Sequence, residues 1–231
     1  NRKEEHRMPL AAPFSRRAFL VSAGGAALSL ALGDDVWAAR AESPIAPCGP
    51  ASKYTPTVEA AFVRRKGEYG MSWPGAVFDG EAARRRYQQE LEKAAKELGL
   101  AVTLRPEPIY SAAEGDQWVA EAAAKKPDGL LVLLLDRQQH AWPTAARAIE
   151  SKVPTVVFSP VGTAFTTNTT ALAAKDGSFI SSTDDFGQAV YGLKMLRARA
   201  LMREMRFLVI RGAQRRDTEV RHFGTRLRYL P

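Results

Sequence analysis

Six consecutive apolar residues, Leu130 to Leu135, stand between the turn Pro127-Asp128-Gly129 and the polar run Asp136-Arg137-Gln138-Gln139-His140. A strand with no polar alternation is covered on both faces, and such strands belong to parallel sheets with crossover helices above and below. The flanking segments agree. Val58–Val63 is a short apolar run that reads as a first strand. Ala83, Tyr87, Leu91, Ala94 and Leu98 recur at steps of three and four, which predicts a helix over Gly80–Leu98 with Asp79 as its cap and Gly99 as its stop. Leu100–Leu104 reads as a second strand. Ser111 and Glu114 form a capping box that opens a helix to about Lys126. Trp142–Ser151 is the next helix, with Pro143 tolerated in its first turn, and Val153–Phe158 the next strand. A threonine-rich polar stretch from Ser159 to Thr170 precedes a short strand Phe179–Ser182, a helix from Asp184 to about Arg203 and a further buried strand Phe207–Ile210. Regular strand–helix alternation with room for crossovers predicts an α/β, doubly wound parallel sheet.

Ligands of open parallel sheets bind outside the carboxyl ends of the strands. The loops expected there carry Arg64, Arg65, Lys66, Tyr69, Trp73 and Phe78 after the first strand. Asp136, Arg137, Gln138, Gln139, His140 and Trp142 follow the third, and Ser159, Thr163, Thr166, Thr167 and Asn168 the fourth. Aromatic faces beside planar polar groups suit a polyhydroxylated ligand. The alternative is that Trp73 and Trp142 plug the sheet edge while the polar residues are solvated. Enzyme signatures are sparse. Gly75-Ala-Val-Phe-Asp-Gly80-Glu81-Ala82 has phosphate-loop glycine spacing, but Glu81 stands where lysine is needed and Ala82 where a hydroxyl is needed. There is no GxGxxG after the first strand, no GxSxG, and no paired histidines at metal-ligand spacing. Asp184 and Asp185 are read as complementing a helix amino terminus. No cofactor is expected, and no catalytic or metal-binding residue is assigned.

The amino-terminal segment carries an address. Arg16 and Arg17 directly precede a mildly apolar run, Ala18–Leu32, and the small-residue site Ala39-Arg40-Ala41 follows. Its 15 residues fall short of the roughly 20 needed to span a bilayer. This layout predicts a twin-arginine signal over residues 1–41, engagement of the twin-arginine translocase, and a periplasmic or otherwise exported protein. Residues 1–7 are read as lying upstream of the true start at Met8. Residues 42–57, with four prolines, are read as a linker. The net charge of +8 is scattered over helices such as Arg84-Arg85-Arg86 and shows no basic stripe interleaved with aromatics, so nucleic acid is not an expected partner. Cys48 is the single cysteine, so no internal disulfide forms.

The order of these segments resembles the type I periplasmic sugar-binding family. The resemblance runs from about Val58 to Gly224. It is carried by Phe78-Asp-Gly-Glu-Ala leading to Lys96-Glu-Leu-Gly99, by Pro127-Asp-Gly-Leu-Leu-Val, by Val153-Pro154-Thr-Val-Val-Phe, by Ser182-Thr-Asp184-Asp185 with Gly192 beyond it, and by Leu208-Val-Ile-Arg-Gly212. It implies a Rossmann-like first lobe over 58–178 and a second α/β lobe beginning at 179, incomplete at 231. It also implies ligand contacts from Trp73 or Phe78, Asp136 and Arg221, to which the rim adds Arg137, His140, Trp142 and Asn168. The expected function is recognition of a small polar, carbohydrate-like ligand, with an ABC transporter membrane component as a further partner. Two departures stand out: Ser159-Pro160 occupies the place of a frequent aspartate–arginine pair, and the loop after the first strand is long. The chain is also similar to the amino-terminal lobes of fucose- and arabinose-isomerase-like enzymes, which would place metal and catalytic groups beyond residue 231. An exported α/β protein without a small ligand is the third reading.

Overall fold

The computed structural model describes residues 49–67, 69–70, 77–137, 140–164, 166–221 and 223–231, with Val77, Thr166 and Thr167 described by backbone alone. The expected signal residues Arg16, Arg17, Ala39 and Ala41 lie outside them, as do Cys48, Trp73, Gln138, Gln139 and His222. All that follows concerns the unit Cys48–Pro231.

Five strands form one all-parallel sheet: β1 (Thr57–Val63), β4 (Ala101–Leu104), β5 (Gly129–Leu134), β6 (Thr155–Ser159) and β7 (Ser178–Ser182), in the order β4-β1-β5-β6-β7. Helices cover both faces, and alternate residues of each strand serve opposite layers. Ala60, Phe62, Leu131, Leu133, Val156 and Phe158 pack under α2 (Gly80–Leu98) and α6 (Gly187–Glu204). Ala61, Val63, Leu130, Val132, Leu134 and Val157 pack under α3 (Ala112–Ala124) and α4 (Ala141–Glu150), with Leu172 of α5 (Thr166–Ala173). This is a doubly wound, Rossmann-like α/β fold. Each fully buried leucine contributes about 1.5–3 kcal/mol, so the β5 leucines anchor both layers at once.

Local chemistry sets the element ends. The Asp79 carboxylate accepts from the Glu81 and Ala82 amides, and Gly99 closes α2 at φ 62°, a left-handed conformation that favours glycine. Ser111 Oγ accepts from the Glu114 amide, but the Glu114 carboxylate reaches the Tyr110 amide rather than that of Ser111. The long loop after β1 contains a small hairpin, β2 (Tyr69–Gly70) with β3 (Val77–Phe78). The expected linker ends in a short helix, α1 (Pro50–Lys53), and in Tyr54, whose hydroxyl donates to Asp128 at 2.8 Å. The threonine-rich stretch turns helical at Thr166, with Leu172 buried beneath it.

Two features differ from expectation beyond residue 178. The strand read as opening a second lobe is hydrogen-bonded into the first sheet, as β7 beside β6, and α6 then returns across that sheet. The strand expected to be buried, β8 (Arg206–Ile210), is exposed: it forms a separate small sheet with β9 (Arg216–Val220) and β10 (Thr225–Leu230), in the order β8-β10-β9. Its apolar run reflects pairing at the edge of three strands and not enclosure between helices. No helix among the described residues is long and apolar enough to cross a membrane.

Candidate functional site

Strand order reverses between β1 and β5. The crossover from β1 leads outward to β4, and every later crossover moves the other way. The loops leaving β1 and β5 therefore diverge at their carboxyl ends, the place where open α/β sheets take ligands. At this point Arg65 meets Asp136, with Nε 2.7 Å from Oδ2. The Asp136 side chain has no exposed surface, whereas Arg65 keeps about a quarter of its own. Asp136 Oδ1 also accepts from the Arg137 amide at 2.8 Å.

Tyr69, itself buried, packs against this point. Its hydroxyl donates to Leu135 O at 2.6 Å, the Arg65 guanidinium lies over its ring at 4.6 Å, and the Phe78 ring stands 5.7 Å away. Burial first, and then the neighbouring Asp136 carboxylate, hold the Tyr69 phenol well above its ordinary range. Gly80 makes this approach possible, since a Cβ there would sit 2.6 Å from the Tyr69 hydroxyl. Arg64 extends the cationic rim and pairs with Glu81 at 2.8 Å. The hydrogen bond from Arg84, ahead of the charges of Arg84 and Arg64, keeps the Glu81 carboxyl below its usual value. With Asp79 on its amides and Glu81 in its first turn, the α2 amino terminus is already supplied with carboxylates and offers no phosphate cradle.

The sequence-expected residues divide into three groups. Phe78, Asp136 and Arg137 stand at the switch point. His140 and Trp142 share that end of the sheet but are built into it. His140 is 4% exposed and its Nε2 donates to Ile109 O at 3.2 Å; Trp142 is 6% exposed and its indole N–H donates to Thr163 O at 2.9 Å. Trp142 is thus a packing residue whose donor is spent. Asn168, half-buried in the first turn of α5, also lies on this side. Arg221 does not. It lines a cavity of about 200 Å³ with Arg199, Arg203 and Gly224, and Arg203 pairs at 2.7 Å with Asp128, which precedes β5. That places Arg221 at the amino ends of the strands, across the sheet from Asp136.

Asp184 and Asp185 act locally: Asp185 accepts from the Gly187 amide at the start of α6, and Asp184 from the Val161 amide. The sequence places Arg65 and Tyr69 in the rim loop but assigns a ligand contact neither to them nor to Gly80. The readable signal was Arg64-Arg65-Lys66 placed directly after the apolar β1. The chain matches no protein-family model, and comparison with curated proteins gives no match.

Proposed function

We propose that this chain is an exported binding protein that takes a small, hydroxyl-rich, carbohydrate-like ligand in the β1–β5 crevice and performs no chemistry on it. The observation that carries the reading is the Arg65–Asp136 pair at the topological switch point. A carboxylate only accepts hydrogen bonds and a guanidinium only donates them, so together they match vicinal hydroxyls, each of which does both. The partly buried Phe78 ring beside them suits the C–H face of a sugar ring. Arg65 has the exposure to turn from Asp136 toward a ligand, and a bound hydroxyl would then take its place on the buried carboxylate. Delivery to an ABC transporter membrane component is the role such binding would serve after twin-arginine export.

Isothermal titration calorimetry against neutral pentoses and hexoses tests this. One of them should bind with a Kd of about 1 mM or tighter, which is worth about 4 kcal/mol. Arg65→Gln should weaken that binding at least about tenfold, or roughly 1.4 kcal/mol. Absence of binding across the panel would sink the reading, as would a ligand indifferent to Arg65.

A further inference from the structure

The small sheet at the end of the chain presents a second surface, independent of the crevice. β8 pairs with β10 along one edge, and its other edge meets no strand among the described residues. Phe207 is 51% exposed, Leu208 58% and Ile210 77%. An open groove of about 480 Å³ spans the three strands, lined by Phe207 and Leu208 and by Arg206, Arg226 and Arg228 against Asp217 and Glu219. An exposed apolar edge strand is a template for pairing with another strand.

Charge decides what kind of strand fits. The segment 206–231 holds seven arginines against Asp217 and Glu219. Both acids lie on β9, the strand farthest from β8, and Asp217 is taken up by Arg228 at 2.9 Å. The free edge is therefore apolar in the middle and basic at both ends, with Arg206 opening β8 and Arg211 following it. A second copy of this chain meets like charges in either orientation. Antiparallel pairing centred between Leu208 and Val209 sets Arg206 of each copy opposite Arg211 of the other, and parallel in-register pairing sets Arg206 against Arg206. Like charges across a strand pair are destabilising. We propose that β8 is a docking edge for an extended acidic peptide segment that adds as a strand, with carboxylates meeting Arg206 and Arg211 around an apolar centre.

The test uses the full chain and two fluorescein-labelled peptides, one alternating valine with glutamate and one alternating valine with lysine, read by fluorescence anisotropy. The acidic peptide should bind at least about tenfold tighter than the basic one. Its binding should weaken as salt rises from about 50 to 200 mM. The double charge variant Arg206→Glu/Arg211→Glu should lose at least about tenfold, and Leu208→Pro should abolish binding by removing a backbone donor from the edge. Because Leu208→Pro can also unfold the small sheet, the exposed charge variant, checked by circular dichroism, decides the matter. Equal binding of the two peptides, or none, overturns the proposal. So does anionic phosphatidylglycerol vesicle binding without peptide binding, or a dimer in sedimentation that Leu208→Pro dissolves while the acidic peptide stays unbound.

Discussion

Asp136 is the residue on which the switch point turns, because its charge is wholly enclosed and an ion-pair partner reaches it from another strand end. Removing one member of a fully buried pair costs about 3–5 kcal/mol, since the other charge is left without compensation. Arg65 is partly exposed and can be rehydrated, so Asp136→Asn should cost less, about 2–3 kcal/mol in urea denaturation. Tyr69 and Gly80 form a second coupled pair. Tyr69→Phe forfeits the bond to Leu135 O and should cost about 1 kcal/mol. Gly80→Ala should cost about 1–3 kcal/mol in the native background, because the new methyl meets the Tyr69 hydroxyl, and distinctly less in the Tyr69→Phe background. A double-mutant cycle with no coupling would show that the two do not meet. The same tyrosine sets an alkaline limit. Its folded value is raised above the ordinary value of 10.0 of the unfolded chain, so its contribution is fully present below that pH and is lost as pH rises above it. Stability measured across this range should fall less steeply in Tyr69→Phe than in the native protein.

At the scale of elements, close packing of α6 on the sheet depends on a missing side chain. A Cβ on Gly192 would lie 2.7 Å from a Val156 methyl and 3.0 Å from the Phe179 ring. Gly192→Ala should therefore push α6 outward and cost about 1–3 kcal/mol in thermal denaturation. Gly70→Ala, where nothing lies within 4 Å, should stay within about 0.5 kcal/mol. The strands and helices of the main sheet were legible because their signals are local: apolar runs for β1, β5 and β6, helical periodicity with Asp79 and Gly99 at the ends for α2, and Ser111 for α3. The β9–β10 hairpin was not legible. Arg216-Asp-Thr-Glu-Val carries three charged residues in five and no buried face, and its partner Thr225–Leu230 interleaves arginines with apolar residues, which reads equally as a basic amphipathic stretch. The site was legible in part. Asp136 could be found because it ends an apolar strand. Its pairing with Arg65 could not, because that contact depends on β1 and β5 being neighbours. The sequence leaves Trp142 open between a ligand platform and a plug at the sheet edge, because its type suits both, and only its place in the core shows that the indole is enclosed.

On the scale of the whole molecule, the chain combines a doubly wound, two-layered core with a small basic sheet, and the two carry separate expectations. The core sets the Arg65–Asp136 pair at the β1–β5 switch point, while the small sheet concentrates arginines at the other end of α6. Ligand in the crevice should leave peptide binding at β8 unchanged, because the two surfaces share no residue. The central claim, that the switch-point crevice grips a hydroxyl-rich molecule, is tested most directly by amide hydrogen exchange on the full chain, with and without each neutral pentose and hexose at about 10 mM, roughly ten times a millimolar Kd. Slowed exchange confined to 64–70 and 134–137 is expected with at least one of these sugars. Unchanged exchange in both segments with every sugar, or protection only around Arg221 and the small sheet, would contradict it.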